Sequence, residues 1–193
     1  STNALELLRE KADNTNGRIL ADVVLHDPLL TLRVLTYIGS HRTQRQTVDI
    51  ATVDRAIMMI GITPFFRDFQ NLPLAENQLK AHPQALLGLL KAINRARRAA
   101  HWARHWAILR RDMDVEEIML ATLLHDLPEL LMWLFAPTLA IKVSETQRAQ
   151  PHQRSATIQS EIYGVPLYQL KLALAEAWHL PTLLVQLMDH QHT

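Results

Sequence analysis

The chain has 193 residues, of which 48% are hydrophobic, enough for a substantial core in one large domain or two closely packed helical lobes. Lys and Arg total 20 against 19 Asp and Glu, so a net charge near +1 gives no general pull toward polyanions. The lack of cysteine excludes disulfides, thiolate zinc sites and thiol nucleophiles, and fits a reducing cytoplasm.

Residues 1–18 read as an N-terminal helix or extension, and Ser at position 1 suggests trimming or a longer parent chain. Asp27-Pro28, Thr63-Pro64 and His82-Pro83 each put proline where a first helical turn tolerates a missing N–H. Asp27 and Thr63 are expected to cap those helices. Leu29, Leu32, Leu35 and Ile38 recur at helical spacing, and a polar loop is expected from Gly39 to Asp49. Met58, Met59, Phe65, Phe66 and Phe69 read as core more than contact surface. A soft boundary falls between Leu72 and Pro83.

Beyond it, Ala92, Ala96, Ala100, Ala103 and Ala107 form a small-residue stripe suited to close helix packing. Arg97, Arg104 and Arg111 follow at seven-residue intervals with Trp102 and Trp106 between them, a combination that could grip nucleic acid. With so little net charge, nucleic acid is not the expected partner, and the favoured reading is a solvated basic face with the indoles packed sideways against neighbouring helices. His101 and His105 share a helix face but point away from the alanine stripe among arginines, which opposes a metal there.

Asp114-Val-Glu-Glu117 reads as a capping box that opens an apolar helix ending in His125-Asp126. A neutral imidazole beside a carboxylate can bind a divalent ion, so this pair is the sharpest chemical signal. Asp126 could equally pair with a nearby Arg or His and lock helices together. The longest apolar stretch, Leu127 to Ile141, is broken by Pro128, Glu129 and Pro137, so no membrane span is expected. Glu145 to Arg154 reads as a mobile connection, with further helix starts near Pro137, Pro151, Pro166 and Pro181. His179, Asp189, His190 and His192 cluster at the C-terminus. Asp189-His190 could complete a site only if the fold returns them to His125. No period-two alternation appears, so the fold is expected to be all-α with roughly ten helices.

Several of these segments, in order, resemble the HDOD domain family, degenerate relatives of the HD-type metal-dependent phosphohydrolases. They are Ile19 to Leu35 with its Asp27-Pro28, Thr52-Val-Asp-Arg-Ala-Ile-Met-Met-Ile-Gly61, Ala121-Thr-Leu-Leu-His-Asp126, Glu161 with Gly164, and Trp178-His-Leu-Pro181 followed by His190. The resemblance implies a multi-helix bundle over 19–193, in two packed lobes of about 19–80 and 81–193. It also implies a bacterial, cytoplasmic signal-transduction module, with signalling proteins or a fused receiver or sensory domain as partners, and no membrane. The chain departs from the active enzymes. Leu127-Pro128-Glu129 stands where Gly-Lys usually follows His-Asp, Leu167 stands where relatives often carry histidine, and the first-ligand position falls near Asn94. His125, Asp126 and His190 are then remnants of a ligand set for iron, manganese or zinc. The expected role is that of a pseudo-enzyme, with no resident cofactor, whose crevice at His125-Asp126 binds a small ligand or a partner segment. The alternatives are a metal-dependent phosphohydrolase acting on a nucleotide or cyclic dinucleotide, and a nucleic-acid-binding helical protein using Arg97, Arg104 and Arg111.

Overall fold

The computed structural model describes residues 16–41, 52–69, 72–180 and 185–186. Among the described residues the chain is all-α, as the missing period-two pattern implies. Four helices lead: α1 (Gly17–Leu25), α2 (Pro28–His41), α3 (Val53–Ile60) and α4 (Ile62–Phe69). A single turn, α5 (Ala75–Gln78), precedes the longest helix, α6 (Pro83–Arg110). Then come α7 (Val115–Leu123), α8 (Leu127–Phe135), α9 (Pro137–Ala149), α10 (Ser155–Tyr163) and α11 (Leu167–Ala177).

Helix starts follow the capping chemistry in part. Asp27 Oδ1 accepts from the Leu29 and Leu30 amides at 2.9 and 3.2 Å, satisfying two orphan donors of α2. Asn16 does the same for α1 through Ile19 N at 2.9 Å, and Pro83 opens α6 behind His82. Two expected caps do not form. Thr63 lies inside α4, because Gly61 takes φ +83° and lets the chain turn directly from α3 into the next helix. Pro64 still falls in the first turn, where it removes no helical bond. Asp114 occupies the cap position of α7, but its backbone (φ −112°, ψ 48°) leaves the extended geometry that capping uses, and its side chain makes no capping bond.

Two expected loops are shorter than their polarity suggests. α2 continues through His41, and positions 42–50 lie outside the described residues. The first half of Glu145 to Arg154 is the end of α9, which runs to Ala149 and buries Ala140 and Val143. The connection is only 150–154. Glu, Gln and Arg are good helix formers, so polarity here marked a solvated helix face. Pro181 lies outside the described residues.

The largest buried cluster joins Leu20 and Val24 of α1, Val34 and Leu35 of α2, Ile57 of α3 and Phe65 of α4 to Leu120 of α7 and Leu127 of α8. The helical face read from the sequence supplies part of it, with Leu32, Leu35 and Ile38 buried, and Leu120, Ala121 and Leu124 join them. Of the Met/Phe group, Phe65 and Phe69 are core, whereas Met58 and Met59 are exposed. A second cluster holds Leu79, Ala85, Leu89, Ala92 and Leu130, with Trp133 against it. The alanine stripe does what its spacing implies: Ala92, Ala96, Ala100 and Ala107 are buried, and α7 and α8 pack on α6. Contrary to the sequence expectation, Val115–Phe135 is long and apolar enough, by length and composition, to cross a membrane. A turn at 124–126 divides it here, and Leu120, Leu123, Leu124, Leu127 and Leu130 are buried in the protein's own core.

Candidate functional site

His125 and Asp126 sit in the turn between α7 and α8 rather than in a last helical turn. α7 ends at Leu123 and buries Leu123 and Leu124, so the core anchors the chain immediately before the pair. Asp126 is the residue preceding α8, yet its carboxylate makes no capping bond to that helix. It is directed elsewhere. His125 Nδ1 lies 2.9 Å from Asp126 Oδ1, and Arg95 Nη2 reaches Asp126 Oδ2 at 3.4 Å from α6.

The same Arg95 nitrogen donates to Glu129 Oε2 at 2.5 Å, and Trp133 Nε1 lies 3.4 Å from Glu129 Oε1. Arg95 thus ties α6 to the turn and to the first turn of α8. The His125 hydrogen bond is the main cause that holds the Asp126 carboxyl below its ordinary value, with smaller help from the charges of His125, Arg95 and Lys171 against burial. An ionised carboxylate only accepts, so His125 Nδ1 carries the hydrogen and donates it.

Lys171 faces the site from α11. It is only 6% exposed and makes no hydrogen bond or ion pair with another described residue. Burial pushes its ammonium below the usual lysine value, and the Asp126 charge partly restores it. Tyr163 at the end of α10 is pushed up to about 12, first by burial and then by the Glu129 charge, so it stays a neutral phenol. The site therefore holds two carboxylates, the Arg95 guanidinium and the buried Lys171 within one helix junction, with His125 about half exposed at its rim.

A divalent ion needs several oxygen or imidazole donors converging on one point. Among the described residues no group of three His, Asp or Glu is arranged to hold one. Both Asp126 oxygens face protein donors, and Arg95 and Lys171 already supply positive charge where an entering cation would have to compete. Of the remnant ligand set that the resemblance implies, the described residues place His125 and Asp126. His190, the third expected remnant, lies outside the described residues, as do Asp189 and His192.

The structure brings together His125 and Asp126 and leaves the basic stripe elsewhere: Arg97, Arg104 and Arg111 are all exposed along α6 and beyond its end. The sequence reading missed Arg95, Lys171 and Tyr163, and treated Glu129 as a break in an apolar stretch and a departure from the family pattern. Lys171 carried a signal. It falls four residues before buried Ala175 in the apolar repeat of α11, where a charge is out of place. Arg95 adjoins Asn94, the position assigned to the missing first ligand. The expectation of packed indoles is wrong: Trp102 and Trp106 are 62% and 65% exposed. They lie on the outward side of α6, and the alanines take the packed side.

A family model described as HDOD domain matches residues 3–193, beginning ahead of Ile19 where the motif resemblance starts. Comparisons with curated proteins and with solved structures return no match.

Proposed function

The chain belongs to the HDOD domain family, and on that premise we propose that it is a non-catalytic regulatory module that acts by binding. The observation that carries this reading is the engagement of Asp126. Hydrolysis of the HD type needs a metal-activated water and charge stabilisation at the leaving group. Here the one carboxylate of the His-Asp pair accepts from His125 and Arg95, and Arg95 is held in turn by Glu129. Fixed protein cations take the place of an exchangeable one. The ion pairs act as a joint between α6 and α8. Around it, the rim formed by half-exposed His125 and Arg95 offers polar contacts to a small ligand or a segment of a signalling partner. A fused receiver or sensory domain is the kind of partner that suits such a module, in the cytoplasm.

The test is the metal content of protein purified without chelator or affinity-tag histidines, repeated on His125→Ala. The expected result is substoichiometric iron, manganese and zinc in both, with no hydrolysis of nucleotides or cyclic dinucleotides when manganese is added. Stoichiometric metal that disappears in His125→Ala, together with phosphodiesterase turnover, would overturn the proposal and favour the phosphohydrolase.

A further inference from the structure

The outward face of α6 has chemistry that the Asp126 site does not use. The whole chain carries 20 Lys plus Arg against 19 acids. α6 alone holds six of those cations (Lys91, Arg95, Arg97, Arg98, Arg104, Arg110) and no carboxylate, leaving 14 cations against 19 acids elsewhere. The near-neutral total conceals a single strongly basic helix. On it, Trp102 and Trp106 stand 62% and 65% exposed, with the Trp102 ring 6.2 Å from that of His105. Arg97, Arg98 and Arg104 make no ion pair with another described residue. Exposed indoles are costly in water and mark a surface that something covers.

We propose that this face binds single-stranded nucleic acid, with Trp102 and Trp106 stacking on bases and Lys91 and Arg98 pairing with phosphates. Charge complementarity selects the partner, since a helix with six cations and no acid seeks a polyanion. A second copy of the same face would set like charges against each other. A lipid surface fits less well because a helix lying in a membrane interface keeps its cations off its apolar face. At about 100° per residue, Lys91 and Arg98 fall within roughly 40° of Trp102, so cations and indoles share one meridian. Such interleaving suits stacking between phosphate contacts. The track ends near Arg110, which pairs with Asp112 at 3.7 Å. This inference is independent of whether the Asp126 site binds metal.

The experiment is a titration of the full chain with a dye-labelled oligothymidylate of about 20 nucleotides, read by anisotropy and by tryptophan emission. Binding is expected at low salt with quenched emission, weakening roughly ten-fold between about 50 and 200 mM salt. Trp102→Ala with Trp106→Ala should weaken it about ten-fold or more while leaving the unfolding midpoint unchanged. Arg98→Glu, which leaves both indoles in place, should also weaken it. No anisotropy change at low salt overturns the proposal, and so does undiminished binding by the double Trp variant. Binding to phosphatidylglycerol vesicles without binding to the oligonucleotide assigns the face to lipid and equally overturns it.

Discussion

Gly88→Ala tests the packing that holds α6 against α8, the two helices on which the Asp126 site is built. A Cβ at Gly88 would lie 2.6 Å from Trp133 Cη2 and 2.7 Å from Cζ2 and Cζ3, well inside ordinary van der Waals contact. Replacing a helical glycine by alanine contributes about 1 kcal/mol of propensity. Overpacking of this kind costs about 1–3 kcal/mol. The Trp133 ring is partly buried and tethered through Nε1 to Glu129, so it cannot swing aside freely. The packing cost should win by about 1 kcal/mol, lowering Tm by roughly 2–4 °C for a chain of this size. Trp133→Phe removes the fused-ring carbons that the new methyl would meet. In that background Gly88→Ala should become neutral or stabilising, because only the propensity gain remains. Urea unfolding followed by far-UV circular dichroism on the four proteins of this cycle reads both effects. A penalty that persists unchanged in Trp133→Phe, or no penalty in the wild-type background, would refute the packing argument.

Four further outcomes follow from the site and its surroundings. Arg95→Ala should cost about 1 kcal/mol or less, since Arg95 and Glu129 are 48% and 26% exposed and water screens the pair. A double-mutant cycle with Glu129→Gln should recover a coupling of about 0.5 kcal/mol, and zero coupling would remove the joint between α6 and α8. Asp126 has a depressed carboxyl value in the folded state. Its contribution is therefore full above the unfolded carboxylate value and is lost as pH falls through the folded one, and His125→Ala should flatten that acid limb of the stability–pH curve. Lys171 behaves oppositely. Its folded value lies below the ordinary 10.5, so its burial penalty is full at neutral pH and fades as pH rises toward that value. Lys171→Met should raise Tm at neutral pH, by about 1 kcal/mol of stability, and the advantage should shrink in alkali; a lower neutral Tm would mean that its attraction to Asp126 outweighs burial. Gly164 closes α10 at φ +76° with open space around it, so Gly164→Ala should cost about 1 kcal/mol through backbone strain alone, and Gly164→Asn less.

Local chemistry explains what was legible without the fold. The 3.6-residue repeat of Leu32, Leu35 and Ile38, and the four-residue spacing of Ala92, Ala96 and Ala100, fix which helix faces are buried, because burial follows side-chain periodicity. Asp27-Pro28 fixes a helix start within one turn, and the ordered motifs from Ile19 to Trp178 identify the family that residues 3–193 match. The character of the site depends on contacts between distant positions. Arg95 and Asp126 are 31 residues apart, and nothing in either segment announces that the guanidinium meets the carboxylate. Lys171 becomes a buried cation only because α11 packs its apolar face inward, and Trp102 and Trp106 become exposed only because the alanines of α6 take the contact with α7 and α8. Sequence fixes what each side chain can do within its own helix. Which carboxylate keeps its charge for a metal, and which gives it to an arginine, depends on how helices far apart in the chain cross.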